Sequence, residues 1–489
     1  MPTSEDFLLE LLYQRIAASQ STALRQWRSH LAEALETWNL PLVTRLLNEL
    51  SSCDLDTRGQ AHLRMGRGGL LFKRDQWSAA LTELERAERL FAETNDATGH
   101  CWVLMTLGNL YSDLQQRERA IETYQRAVAH YQAQEDVYGE AQVLVNLGAA
   151  YRSLGRFGEA VQAYRRSLHI FLDVEDTHSA ALALCGLGDV LWDLGVYEEA
   201  AECYEAGLAI FAEAGDISGQ LSMLNNLGRA WDSLDQPERA LDLYRRSLAL
   251  AQQLGDLHRQ ATTLENLGIT LEHLERHSEA LGAYEQSLET YRQLGDRYSV
   301  TTALHHLGAV CRRLERLDVA EAYLQQALTL KQELNDRRGL AGVLITLAKL
   351  RMNQNRWSEA GELADQAAHL AQETQAGGLL SSAYALRGAV EIGENGNMDT
   401  GATHYAQAVL TAWEHHPVTG QKVNHFVLHQ IRGMIQRGET EMARAICEHI
   451  LAVTRERVGV EHPEAVVAFE DLLPDSASLS GDGESLASA

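Results

Sequence analysis

Side chains able to act as nucleophiles or metal ligands occur in this sequence, but none stands in a pattern that catalysis requires. The chain has no glycine-rich phosphate loop, no Gly-x-Ser-x-Gly elbow and no His-Glu-x-x-His motif. His425 and His429 have helical i, i+4 spacing, yet no flanking glutamate or third ligand completes a metal site. Cys185 and Cys311 lack a positioned histidine base and are interpreted as small packing residues. We therefore expect no enzyme activity, no cofactor and no bound metal.

Polar side chains recur instead at fixed distances from a glycine that returns every 40 residues, a position we call the marker. They stand two positions before the marker, one position after it, or four to five positions after it. The candidates are Asn109, Asn146, Arg152, Asp189, Trp192, Asn226, Arg229, Asn266, His306, Arg312 and Arg313. An asparagine side chain offers donors and an acceptor, so a row of them can bind both polar groups of an extended peptide backbone. We predict that these eleven residues form a surface that binds a peptide or a partner protein.

Three alternatives stay open for these residues. The asparagines can be polar surface residues that duplication has repeated, without any ligand. The basic run that includes Arg312 and Arg313 fits a carboxylate or an acidic ligand segment, but it also fits a solvated charge run. Trp192 suits a binding anchor, and equally suits packing against the next helix.

The elements that must position these side chains follow from the same period. The marker is occupied by Gly68, Gly108, Gly148, Gly188, Gly228, Gly268, Gly308, Ala348 and Gly388. Leucine precedes most of these markers, alanine follows twelve residues later, and aspartate stands twelve residues earlier. Small residues at the marker allow two helices to approach closely, and aspartate is a favourable N-cap at the positive end of a helix dipole. Each period therefore predicts two helices of about 17 residues joined by a short turn.

This pattern resembles the tetratricopeptide repeat. The resemblance rests on the Leu-Gly pair, on a large residue three positions after the glycine (Tyr111, Tyr151, Trp231), and on alanine followed by tyrosine in the second helix. The usual unit has about 34 residues, and the 40-residue unit is similar to the repeats of Pins-type scaffolds, kinesin light chains and Rap-type bacterial peptide receptors. The resemblance covers roughly residues 57 to 415.

The resemblance implies an all-α fold, a right-handed superhelical solenoid of about ten to eleven helical hairpins. The first helix of each hairpin is expected to line a concave groove. In similar families an asparagine two positions before the marker holds a peptide backbone. The residues at that position here are Asn146, Asn226 and Asn266. The slots that a two-carboxylate clamp would fill with lysine hold other residues, so that ligand class is not expected.

The ends of the chain depart from the period. We predict degenerate N-terminal capping helices over residues 1–56 and eight regular units over 57–376. Divergent hairpins and a C-terminal cap are predicted over 377–473, and a disordered tail over 474–489.

Composition limits the classes of function. The formal net charge of −26 argues against nucleic acid as a partner. The sequence contains no long apolar run for a membrane span and no basic start typical of a signal peptide, and its six cysteines are scattered. We therefore expect a cytoplasmic protein without membrane contact. A homo-oligomer is compatible with the sequence but is not predicted.

The most consistent function is a non-enzymatic scaffold or adaptor that binds a peptide or partner helix in the groove. The alternative is a peptide-sensing receptor, or a regulatory subunit that controls a separate effector enzyme such as a protease. No extra folded domain is evident for coupling to an effector, which favours the scaffold.

Overall fold

The computed structural model describes residues 20–415 and 417–457, together with Val466, Val467 and Phe469. Within these residues the chain forms 22 long α-helices and no strand. The helices are α1 (Gln20–Glu36), α2 (Leu40–Ser52), α3 (Thr57–Lys73), α4 (Trp77–Thr94), α5 (Ala97–Asp113), α6 (Arg117–Ala133), α7 (Val137–Ser153), α8 (Phe157–Asp173), α9 (Thr177–Asp193), α10 (Tyr197–Glu213), α11 (Ile217–Ser233), α12 (Pro237–Leu254), α13 (Leu257–His273), α14 (His277–Leu294), α15 (Arg297–Arg313), α16 (Leu317–Glu333), α17 (Arg337–Asn353), α18 (Trp357–Glu373), α19 (Gly377–Asn395), α20 (Met398–His415), α21 (Pro417–Gln436) and α22 (Thr440–Arg457).

The predicted all-α fold is confirmed, and its helices are of the predicted length. We call the odd-numbered helices A helices and the even-numbered ones B helices, so each hairpin is one A helix followed by one B helix. The right-handed superhelical course stays a prediction. The predicted tail over 474–489 and the first 19 residues lie outside the described residues.

The A helices of the regular repeats begin at the predicted aspartates. The carboxylate of each accepts a hydrogen bond from the backbone N–H three residues later, which satisfies one of the free donors of the first turn. The eight caps are Asp56, Asp96, Asp136, Asp176, Asp216, Asp256, Asp296 and Asp336. B helices before three of these caps end at a glycine with positive φ, as at Gly295 (φ 69°), where a residue without a Cβ is favoured.

The marker glycine sets the distance between the two helices of a hairpin. A Cβ added to Gly268 would lie 2.5 Å from Cε1 of Tyr284 on the following B helix. Gly308 faces Leu324 in the same way, at 2.5 Å from its Cγ. The repeated tyrosine is thereby buried, with Tyr284 completely inaccessible, and the hairpin packs as a close helix pair.

The chain divides between Ser247 and Leu248, inside α12, into two compact units. Unit 1 contains α1 to α11 and most of α12, and unit 2 contains the rest of α12 and α13 to α22. The 40-residue period shows no sign of this division, because the repeat continues through it. The four predicted segments of the chain stay predictions.

One cap in unit 1, Asp96, is also part of an ion-pair network. Its carboxylate accepts from Gly99 N at 3.0 Å, and Oδ2 lies 3.2 Å from His62 Nε2 and 3.3 Å from Arg58 Nε. Burial disfavours the charged form of Asp96, but the hydrogen bonds from His62 and Gly99 and the nearby positive charges outweigh it. They hold the pKa of Asp96 well below its ordinary range.

Acid should therefore weaken α5 through Asp96. A carboxylate with a depressed folded-state pKa contributes stability above its unfolded pKa of about 3.9, and that stability is lost as the pH falls through its folded pKa. Asparagine is also a good N-cap but does not titrate. We therefore expect hydrogen-exchange protection of α5 to fall less steeply with decreasing pH in Asp96→Asn than in wild type, below about pH 4. Hydrogen exchange of the α5 amides measures this, and equal pH slopes in variant and wild type would contradict it.

Candidate functional site

The predicted polar positions lie where one A helix meets the next A helix of the same unit. Side chains of neighbouring A helices are joined at separations of 37 or 41 residues, as in Asn146 with Asn109 and His305 with Thr346. These separations place the polar positions of one repeat beside those of the next repeat. We call this surface of each unit the A face.

In unit 1 the amide oxygen of Asn109 is shared by two donors. The hydroxyl of Tyr124 donates to it at 2.6 Å, and Nδ2 of Asn146 donates at 3.3 Å. Both asparagines are half-buried. Oδ1 of Asn146 and Nδ2 of Asn109 have no hydrogen-bond partner among the described residues. Each asparagine is thus oriented by the protein and retains one polar group without a partner among the described residues.

Asp189 is the centre of a second network in unit 1. Its Oδ1 accepts from the Tyr204 hydroxyl at 2.8 Å and from Asn226 Nδ2 at 3.1 Å, and its Oδ2 accepts from Arg152 Nη1 at 2.7 Å. Arg152 also donates through Nε to Asp193 at 2.5 Å. Burial of Arg152 disfavours its charge, but the two aspartates raise the pKa of Arg152 above its ordinary value. The network holds the cation of Arg152 between two successive A helices.

Two polar side chains of the next A helix contact Trp192. Its Nε1 donates to Ser233 Oγ at 3.2 Å, and the Arg229 guanidinium lies 4.2 Å from the ring centroid, a cation–π geometry. The indole is half-buried. Packing against the neighbouring helix therefore accounts for one side of the ring, and a role as a binding anchor stays a prediction.

In unit 2, Asn266 and His306 stand two positions before their markers. The His306 ring stacks on Tyr284, with centroids 5.0 Å apart, and its Nε2 lies 3.6 Å from Glu265 Oε1. The half-buried side-chain amide of Asn266 has no hydrogen-bond partner in the described part of the chain. Asn266 is thus the most available of the three predicted asparagines.

The predicted arginines of unit 2 are unequally paired. Arg313 Nε lies 3.4 Å from Glu272 Oε2, and the Tyr284 hydroxyl donates to the other oxygen of Glu272 at 2.8 Å. Among the described residues, Arg312 makes one hydrogen bond, from Nη1 to Asn353 Oδ1 at 3.5 Å, and its buried Nε has no hydrogen-bond partner. Burial, and then the charge of Arg313, lower the pKa of Arg312.

Sequence reasoning missed Lys349, which the structure places beside these arginines. It stands one position after the marker Ala348, the slot that Asn109, Asp189 and Arg229 occupy in their own repeats. Reading that slot onward past the last regular glycine would have found it. The carboxylates of Glu265 and Glu272 were missed as well, because their significance depends on side-chain contacts with the next A helix.

The A face offers hydrogen bonds and charges, without an activated nucleophile or a metal site in evidence. Burial, with the charge of Asp189, raises the pKa of the Cys185 thiol to about 12, which keeps it protonated. Within the described ranges no group of three or more His, Cys, Asp or Glu side chains is arranged to hold a metal ion. None of the described helices combines the length and the hydropathy that crossing a membrane requires.

The fold and the A face together define a helical-repeat protein with a polar surface on one helix of each pair. A sequence profile described as tetratricopeptide repeat matches residues 101–173, 139–213, 179–253, 219–293 and 259–333. A second profile with the same description matches residues 435–464. The chain belongs to the tetratricopeptide repeat family. A comparison with curated protein sequences finds no match.

Solved structures share this fold at low sequence identity. The apo form of the quorum sensor NprR from B. thuringiensis is 17% identical, with a TM-score of 0.56, and the match covers 71% of this chain and 97% of that chain. Aspartyl phosphate phosphatase F from Bacillus subtilis is 13% identical, covering 72% and 94%, with a TM-score of 0.50. A signal transduction ATPase with a tetratricopeptide repeat sensor from Pyrococcus horikoshii is 15% identical, covering 70% and 55%, with a TM-score of 0.51. At these identities the likeness is one of fold.

Proposed function

We propose that this protein is a non-enzymatic scaffold or adaptor whose A face binds a peptide or a partner helix. The observation that carries the proposal is a contrast between two sets of positions. Residues that pack the hairpins repeat almost unchanged, whereas the slot after the marker holds Asn109, Asp189, Arg229 and Lys349 in different repeats. The close approach of the two helices in a hairpin does not depend on this slot, so its variety is consistent with recognition of a particular ligand.

Unused hydrogen-bonding groups on the A face support a peptide as the ligand. Oδ1 of Asn146, Nδ2 of Asn109 and the amide of Asn266 are half-buried and lack partners among the described residues. An extended peptide presents N–H and C=O groups that need such partners when they leave water. Each asparagine is therefore suited to binding a peptide group.

Small cavities on the A helices offer places for ligand side chains. In unit 1 a cavity of about 190 Å³ is bordered by Phe72, Trp102, Met105 and Asn109. Its walls are mostly apolar with a polar edge, the composition common in pockets that accept an anchoring side chain. In unit 2 a second cavity, of about 170 Å³, opens beside Lys349.

The proposal extends to the nature and place of the partner. The partner is a protein or peptide and not nucleic acid, as the charge of −26 suggests, and the location is cytoplasmic. The alternative, a peptide-sensing receptor or a regulatory subunit of an effector enzyme such as a protease, would use the same face. It differs in that peptide binding would change the conformation, which small-angle scattering with and without peptide would detect.

Replacing Asn146, Asn226 and Asn266 together by alanine tests the scaffold function. We expect partner binding to weaken at least tenfold, or about 1.4 kcal/mol, while helicity and melting change little. Stability is preserved because Asn109 keeps its bond from Tyr124 and Asp189 keeps its bonds from Tyr204 and Arg152. The measurement is affinity purification from the native cell, followed by titration of the recovered partner.

The matched control replaces three exposed polar residues of the B helices, Gln162, Gln286 and Gln326, by alanine. The control should bind like wild type. Equal affinity of the asparagine variant and wild type would reject the A face as the binding surface.

A further inference from the structure

Three cations meet on the A face of unit 2. Arg312 and Arg313 end α15, and Lys349 lies in the last turns of the neighbouring A helix, α17. Thr346 and Asn353, which share a helical face with Lys349, contact His305 and Arg312 at 2.7 Å and 3.5 Å. Because Lys349 lies between these two residues on the same face of α17, it also faces α15. We call Arg312, Arg313 and Lys349 the basic cluster.

Few carboxylates balance the positive charge of the basic cluster. Within the described part of the chain its one paired carboxylate is Glu272, which lies 3.4 Å from Arg313 and also accepts from Tyr284. The Lys349 ammonium has no hydrogen bond or ion pair with a described residue, and the buried Nε of Arg312 has none either. In a chain with 68 acidic residues, the lack of an ion pair at the half-buried Arg312 and Lys349 is unexpected, because an unpaired charge that loses part of its hydration costs free energy.

Burial and the neighbouring positive charges lower the pKa of Lys349. Burial, followed by the charges of Arg312 and Arg313, lowers the pKa of Lys349 to about 8. The neighbouring His305 adds no further positive charge, because burial together with the charges of His306, Lys331 and Lys349 lowers its pKa to about 3. Among the described side chains of α19 and α21, those that line the cavity beside Lys349 are Ser382 and four apolar residues, none of which carries a charge.

A small cavity, lined by four apolar and two polar residues, adjoins the basic cluster. It measures about 170 Å³ and is lined by Lys349 and Ser382 on its polar side, and by Ala385, Leu386, Val423 and Phe426. Sites for whole small molecules usually exceed about 300 Å³. This cavity has room for one apolar side chain, and the ammonium of Lys349 borders the same space.

We propose that the A face of unit 2 binds an acidic peptide segment, whose carboxylate pairs with the basic cluster while an adjacent apolar side chain fills the cavity. The proposal rests on the proposed function and names the chemistry of the ligand. Charge complementarity supports a carboxylate, and the apolar lining supports a side chain beside it. A nucleic acid offers phosphate but no aliphatic group for the cavity, and the net charge of the chain opposes it.

The four lysines of the chain, Lys73, Lys331, Lys349 and Lys422, make a direct test possible. Protein carrying ¹³C-labelled lysine gives four Cε signals, which Lys349→Met assigns by loss of one. The probe is acetyl-Gly-Glu-Leu-Gly-amide, in which the glutamate side chain holds the only carboxylate. Matched probes replace Glu by Gln, or Leu by Gly. A fourth probe has only uncharged side chains and a free C-terminal leucine, so that its one carboxylate is the C-terminus.

We expect the Glu-Leu probe to shift the Lys349 signal saturably while the signal of Lys331, whose ammonium is paired with Asp336 at 2.7 Å, stays fixed. Binding should raise the pKa of Lys349 from about 8 toward its ordinary value of about 10.4, because a carboxylate favours the charged form. The Gln and Gly probes should bind at least tenfold more weakly. An unmoved Lys349 signal, an equal response to the Gln probe, or a stronger response to the free C-terminus or to an oligonucleotide would overturn the proposal.

The variant Lys349→Met separates a binding role from a structural one. Removing an unpaired cation should increase hydrogen-exchange protection of α17 at pH 7 at least threefold, while binding of the Glu-Leu probe falls at least tenfold. A merely structural lysine would lose protection when replaced. If the native partner still depends on Asn146, Asn226 and Asn266 but Lys349 does not respond to the probe, the ligand chemistry is wrong and the scaffold function stands.

Discussion

Asp189→Ala should destabilise the central A helices of unit 1 by about 3 kcal/mol. The substitution removes the acceptor of three donors at once: the Tyr204 hydroxyl, the amide of Asn226 and the guanidinium of Arg152. Tyr204 is 1% exposed, so water replaces its lost partner poorly, and an unsatisfied buried donor costs about 1–3 kcal/mol. Asn226 and Arg152 are half-buried and recover part of their hydration.

The measurement for Asp189→Ala is the local opening free energy from hydrogen exchange of α9 and α11, since long repeat arrays do not unfold in one step. Asp193→Ala is the matched control. Among the described residues, Asp193 accepts a hydrogen bond from Arg152 alone. When Asp193 is removed, Arg152 still donates to Asp189. The control should cost less than about 1 kcal/mol. Similar losses in both variants would mean that Asp189 is an ordinary surface carboxylate.

Gly268→Ala should destabilise the α13–α14 hairpin by about 2 kcal/mol, against the usual preference of helices for alanine. The added Cβ would lie 2.5 Å from Cε1 of Tyr284 and 2.8 Å from its Cδ1. Real Cβ atoms do not approach a ring so closely. Tyr284 is fully buried, and its hydroxyl is bound to Glu272, so the two helices must separate to admit the methyl group.

The same hairpin contains its own control, because Gly282 lies inside α14 with nothing within 4 Å of an added Cβ. Gly282→Ala should stabilise the hairpin by about 0.5–1 kcal/mol, the ordinary gain in helix propensity. Hydrogen exchange of α13 and α14 measures both variants. Stabilisation by Gly268→Ala would show that the marker glycine does not set the distance between these helices.

Most of the fold follows from short-range rules that repeat along the sequence. Asp136 caps α7 because an aspartate carboxylate readily accepts from the free backbone N–H three residues later, whatever the rest of the fold. Gly268 and Tyr284 face each other because 16 residues and one tight turn bring them to the same level of a hairpin. The division inside α12 has no such local cause, so periodicity could not reveal it.

The candidate site was predictable in position but not in chemistry. The slots before and after the marker indicated which side chains of the A helices would be polar. They did not indicate that Asn146 would donate to Asn109, or that Asp189 would be shared by three donors. Those contacts depend on the offset between successive A helices and on rotamers, to which residue type is a weak guide.

The basic cluster shows most clearly which properties cannot be predicted from the sequence alone. Residue types and spacing were enough to assign helices, caps, close helix pairs and a polar row, because each depends on groups a few residues apart or on one repeated contact. The altered ionisation of Lys349 required the packed structure. Desolvation and the field of Arg312 and Arg313 arise only when α15 and α17 exclude water from the space between them.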